Sequence, residues 1–160
     1  MHPLRFFDEI VEHRNTLLGR FREAGREAFH EPLVEHTWSC EFLFRHLLAG
    51  IKWMMDAVPS VTFVEYHPLA VKTRAWPDER ASWDEVKQAL DEVTAETREH
   101  LAQLGPEQWN LRVQEDPALT LEEYIYGLLE HEIEHHGMIR WILKRYTHWD
   151  DNEMYQGEVP

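Results

Sequence analysis

The chain repeats apolar side chains at intervals of three and four over four long stretches, and proline or glycine interrupts the pattern after each of the first three. Apolar positions at that spacing line one face of an α-helix. In the first stretch, residues 4–28, Phe7, Ile10, Val11, Leu17, Leu18 and Phe21 fall close to one face, with Pro3 at the start and Pro32 past the end. The second, residues 39–58, has Ser39 at an N-cap position and Pro59 at its close. Its buried face is Phe42, Leu43, His46, Leu47, Gly50, Ile51 and Met54. The third starts at Ser82, where Glu85 completes a capping-box pattern, and stops at Gly105-Pro106. The fourth starts at Thr120, with Glu123 in the same relation, and runs to about residue 146.

Helices with one apolar stripe each pack most simply against one another. The expected fold is therefore all-α, a four-helix bundle with a long loop between the second and third helices. At 160 residues a single domain is expected, over residues 1–148, followed by an acidic tail over 149–160 that orders only if Trp149 or Tyr155 docks. In the long loop, residues 60–81, Val61, Phe63 and Val64 make a short β-like run, while Pro68 and Pro77 break any helix. Loops of about twenty residues inside a compact domain are uncommon and often functional. This one carries Tyr66, His67, Lys72, Arg74 and Trp76. Residues 105–119 read as a second connection anchored by Trp109.

Composition removes several classes of function. Sixteen basic residues against 30 acidic ones give a formal charge of −14, which disfavours nucleic acid or an anionic membrane surface as partner. One cysteine, Cys40, excludes an intrachain disulfide and a CxxC site; it reads as a small buried hydrophobe. No apolar run reaches the ~18 residues of a membrane span, and the N-terminus lacks a basic region ahead of an apolar one. The expected location is cytoplasmic.

Eleven histidines are the unusual count. His131 and His135 stand four apart on the fourth helix, so their side chains are surface neighbours that can share one metal ion. His46 sits centrally in the most apolar stretch of the second helix and needs a partner. Taken alone, a core histidine is usually a hydrogen-bonded structural residue, and an exposed pair arises by chance in a histidine-rich chain. Together, on two helices of one bundle, they point to a metal held between facing helices. Three neutral imidazoles leave coordination positions open, as catalytic sites do. His2, His13, His30, His100 and His148 read as surface residues, while His36 lies before the second helix, His67 in the long loop and His136 about 100° around the helix from His135.

The string from His131 to His135 also matches H-E-x-x-H, in which Glu132 would be the catalytic base of a zincin-like hydrolase. No metzincin extension follows, and no β-edge is available for an extended peptide. A di-iron carboxylate site would need a second Glu-x-x-His, and the only other is Glu27-x-x-His30 at a helix end.

The segment Phe44-Arg45-His46-Leu47-Leu48 and the segment Leu129-Glu130-His131-Glu132-Ile133-Glu134-His135-His136-Gly137 resemble the DinB/YfiT-like family over nearly the whole chain. Trp38-Ser39 resembles the family's lead-in to its second helix. Glu134, His136 and Met138 depart from residues common there. The resemblance implies a four-helix bundle and a divalent metal ion, such as zinc, nickel or iron, on His46, His131 and His135. It also implies kinship with metal-dependent thiol S-transferases using low-molecular-weight thiols, with small-molecule isomerases and hydrolases, and with frequent homodimers. A non-catalytic helical binding module is the competing expectation.

Overall fold

Side-chain caps decide where the long helices begin. The computed structural model describes residues 2–32, 38–59, 61, 65–71, 80–114 and 116–147. These form α1 (Pro3–Ala24), α2 (Arg26–His30), α3 (Cys40–Ala57), α4 (Trp83–Ala102), α5 (Pro106–Trp109) and α6 (Leu121–Thr147). An isolated bridge between Arg112 and Thr120 is the sole strand-like pairing among the described residues. The Phe42 N–H donates to Ser39 Oγ at 3.2 Å and starts α3. Ser82 and Glu85 form a capping box at α4. Thr120 and Glu123 do the same at α6, through bonds of 2.8 and 3.2 Å. These bonds hold the Glu85 and Glu123 carboxyls below their usual pKa.

The expected first helix is not continuous to residue 28. It breaks at Gly25, whose φ of 92° lies in the left-handed region that glycine tolerates, and the chain restarts as α2. The connection over 105–119 also contains a short helix, α5, whose Trp109 is buried as an anchor. Val61 bonds back to the Val58 carbonyl in a turn. Phe63, Val64, Lys72, Arg74, Trp76, Pro77 and the tail with Trp149 and Tyr155 lie outside the described residues.

α1 packs between α4 and α6, and α3 packs between the same two helices, which closes a four-helix bundle. α1 runs parallel to α6: Phe6 meets Tyr126 near one end, and His13 meets His136 further along. α1 is antiparallel to α4, since Asp8 pairs with Arg98 and the Leu18 carbonyl accepts from the Trp83 indole. α3 is parallel to α4. Glu41 accepts from the Ala81 N–H at their starts, and Met54, Val58 and Leu101 share one apolar cluster near their ends. A parallel pair forces the connection to travel back along the bundle. The 18 residues of α3 rise about 27 Å at 1.5 Å each, and the long loop covers that return.

Part of the return is strapped to α3. Arg45 Nε donates to the Leu69 carbonyl at 2.8 Å, and the Val71 N–H donates to the Arg45 carbonyl at 3.1 Å. The Trp53 indole donates to the Tyr66 hydroxyl at 2.9 Å.

Two apolar clusters fill the bundle, one around Phe21, Phe44 and Leu143, the other around Phe7, Met54 and Ile125. A polar layer separates them on α1, α4 and α6. Arg14, 1% exposed, donates to Glu132 Oε1 at 3.1 Å and to the Thr94 hydroxyl. Removing one partner of a buried ion pair costs about 3–5 kcal/mol, whereas replacing both by apolar groups is often neutral. Arg14→Met should therefore lower unfolding free energy in urea by about that amount. Arg14→Met/Glu132→Leu should recover most of the loss.

Candidate metal centre

His46 is held in one tautomer by the returning loop. Its Nδ1 lies 2.9 Å from the Val71 carbonyl, which can only accept. The proton therefore sits on Nδ1, and Nε2 keeps a free lone pair. A carbonyl behind a histidine is the usual way a metal-binding imidazole is oriented.

α6 supplies the other two rings. His131 and His135 place their Nε2 atoms 3.0 Å apart. Two nitrogens on one ion at 2.0–2.1 Å, subtending 90–110°, are separated by roughly 2.8–3.4 Å. The His135 ring lies 5.0 Å from that of His46, and the His131 ring 6.0 Å. One ligand atom from each histidine falls within 4.8 Å of the others. The expected three residues are thus brought together, and their donor set suits zinc, nickel or iron alike.

The surroundings grade from dry to open. His135 is buried, while the His131 side chain is 43% exposed, so the group is approached from the His131 side. Trp38, Phe42 and Trp53 flank His46 at ring separations of 6.1, 6.4 and 6.4 Å. Burial, followed by the neighbouring His131 and His46, pushes the His135 pKa down to about 4. His135 is therefore neutral at pH 7 with a lone pair to offer. Glu134 places a carboxylate oxygen 3.8 Å from His131 Nδ1 at the exposed edge of the group.

Glu132 is not part of this group. It turns to α1, where Arg14 holds it, and His136 Nε2 lies 3.3 Å from the same oxygen. Although burial opposes ionisation, Arg14 and His136 bring the Glu132 pKa below the usual carboxylate value. His136 Nδ1 in turn lies 3.0 Å from His13 Nδ1. His13 is therefore half-buried and engaged rather than a plain surface residue, as is His30, whose ring touches the Arg26 and Ala81 carbonyls. Helical spacing alone could have matched Glu132 with His136; nothing local could have matched His136 with His13.

Cys40 sits in the apolar core at 0% exposure, and burial pushes its thiol well above the usual pKa. It stands outside the histidine group. No other group of three metal-ligating side chains gathers among the described residues, so the di-iron arrangement has no second cluster there. A cavity of about 480 Å³ lies elsewhere, between α1, α2 and the start of α4, lined by Phe21, Phe29 and Trp83 but by none of the three histidines.

No described helix is long and apolar enough to cross a membrane. Neither the curated proteins nor the solved structures gave a match to this chain. The family comparison did: with residues 9–139 matched from the first helix through the histidine-bearing part of α6, the chain belongs to the DinB superfamily.

Proposed function

We propose that this protein is a metal-dependent enzyme in which His46, His131 and His135 hold one divalent ion, and that it transfers a low-molecular-weight thiol to, or hydrolyses, a small electrophilic substrate. The observation carrying the reading is the meeting of three imidazoles at the border of core and solvent, with the Nε2 atoms of His131 and His135 3.0 Å apart and that of His46 freed by Val71. A divalent ion supplies Lewis acidity there, making a water molecule or a thiol nucleophilic at neutral pH. The chain's own contributions are orientation and exclusion of water. Val71 fixes the His46 ring, and Trp38, Phe42 and Trp53 form an apolar wall. An open position suits a small molecule entering past half-exposed His131.

In this reading Glu132 is a positioning residue rather than a catalytic base. A carboxylate held ionised by Arg14 is a weak base, and its bonds point away from the three histidines. This weighs against a zincin-like hydrolase. A metal-free structural module gains no specific support, because a structural core has no need to turn two imidazole nitrogens toward each other; a metal-bound module without turnover would share the three histidines and differs only in lacking activity.

Metal content of purified protein tests the reading directly. About one zinc, nickel or iron per chain is expected in the wild type by mass spectrometry of the elements, and none in His46→Ala/His131→Ala. Absence of metal from both, after incubation with zinc and nickel, would overturn it. Activity with a thiol and an electrophile should disappear in His131→Ala, and metal content should survive Glu132→Gln.

The low pKa of His135 has a consequence for the metal-free protein. Its folded value of about 4 lies below the 6.5 of a free imidazole. Between the two, the unfolded chain binds a proton that the folded chain refuses, so this contribution to stability is present above pH 6.5 and lost as pH falls toward 4. After chelation, the melting temperature should fall across that window, and less steeply in His135→Gln than in the wild type.

A further inference from the structure

We propose that the cavity between α1, α2 and the start of α4 is a second binding site, one that takes a small aromatic carboxylate. The proposal is independent of the metal reading. α1 and α4 meet on the edge of the bundle opposite to the one formed by α3 and α6, which carry the three histidines. The cavity encloses about 480 Å³, a size typical of small-molecule sites.

The break at Gly25 creates this space. There α1 ends, and α2 turns to pack on α3 and α6, leaving a gap beside the start of α4. Polar bonds fix the walls of the gap. His30 Nε2 lies 2.9 Å from the Ala81 carbonyl, and Arg80 Nη1 donates to the His30 carbonyl at 3.1 Å. The Trp83 indole donates to the Leu18 carbonyl at 2.7 Å. A site formed in advance spends little binding energy on ordering itself.

Two kinds of surface line the cavity. Phe21 and Phe29 are buried beneath it, and the half-buried Trp83 ring offers an apolar face. Around them stand the guanidiniums of Arg22, Arg26 and Arg80. Arg22 lies 4.8 Å from the centre of the Trp83 ring. Among the described residues no side chain pairs with Arg26, and Arg80 engages Glu31 and the His30 carbonyl through Nη1 alone. The acid in the lining is Glu85, whose Oε2 already accepts from the Ser82 N–H and hydroxyl at 2.7 and 2.6 Å. The whole chain holds 30 acids against 16 bases, so three arginines against one acid at a single cavity run counter to its composition.

Charge and shape together select the ligand. A guanidinium binds a carboxylate through paired N–H donors, more strongly than neutral groups bind one another. A carboxylate without an apolar body would leave the Trp83 face wet, and an uncharged ring would leave the guanidiniums without a counter-charge. An aromatic ring bearing one carboxylate satisfies both surfaces. The chain's net charge of −14 works against multiply charged anions and favours a single charge.

Calorimetric titration of the full chain with naphthoate, after chelation of any metal, tests the proposal. A Kd of about 1 mM or below is expected. Naphthylmethanol, the same ring system without the charge, should bind about tenfold or more weakly. Arg26→Gln/Arg80→Gln should weaken naphthoate binding by a similar factor, about tenfold, with helix content unchanged by circular dichroism, since both side chains are exposed. His46→Ala/His131→Ala should bind naphthoate as the wild type does, which separates this site from the metal centre. The indole N–H resonance of Trp83, identified by its loss in Trp83→Phe, should move during the titration. Absence of binding at about 10 mM naphthoate overturns the proposal. So does equal affinity for the alcohol, an affinity that depends on the histidines and not on the arginines, or a Trp83 resonance that stays still.

Discussion

The buried guanidinium of Arg14 sets the rotation of α6, and much else follows from that. It is 1% exposed, and its Nη atoms bind Glu132 on α6 and Thr94 on α4. A buried charge without its counter-charge costs several kcal/mol, more than any single apolar contact along these helices supplies. α6 therefore cannot turn about its axis without exposing or orphaning Arg14. The same helix carries two i,i+4 pairs about 100° apart, Glu132 with His136 and His131 with His135. The first pair is claimed by α1, through Arg14 and His13. A rigid helix then delivers the second pair to His46 on α3. The two α6 imidazoles are aimed by an ion pair about 100° around the same helix, before any ligand contributes energy.

The third histidine depends on topology in a different way. α3 and α4 run parallel, so the chain must return along the bundle between them. In returning it lies against α3, where Arg45 takes the Leu69 carbonyl and gives its own carbonyl to Val71. Those bonds bring the Val71 carbonyl to His46 Nδ1. A tight antiparallel hairpin between α3 and α4 would have had no segment at that height. The length of the loop and the tautomer of His46 are thus two results of one direction reversal.

These causes explain what the sequence disclosed. Caps are local: Ser39, Ser82 with Glu85, and Thr120 with Glu123 act within three residues, and each marks a helix start in the structure. The spacing of His131 and His135 is local too, and one turn of helix suffices to bring the rings together. The break at Gly25 was hidden because the apolar period of α1 runs up to it and α2 resumes helix immediately, so only the backbone angle distinguishes them. Helix directions were not legible, since an apolar stripe reads the same from either end. The pairing of His13 with His136 spans 123 residues and follows from α1 lying parallel to α6. The Val71 carbonyl is backbone, and no side-chain pattern announces it.

Glu132 shows why a motif needs its surroundings. In H-E-x-x-H the glutamate stands one residue from the first histidine, so a helix turns it about 100° away, and what occupies that direction decides its chemistry. Here the direction is filled by Arg14, which stabilises the charged carboxylate and takes from it the basicity that proton abstraction needs. On the other side, the histidines carry a cost that packing does not return. His135 Nδ1 is buried without a hydrogen-bond partner, and its Nε2 faces another imidazole nitrogen. Leucine at that position would pack against Trp38 without an unsatisfied polar atom. A bundle selected only for stability would lose this arrangement, whereas a cation held by all three lone pairs would repay it. Motif and cost point the same way: the three histidines form a group that could hold a metal ion, and the glutamate between the two on α6 is turned to Arg14.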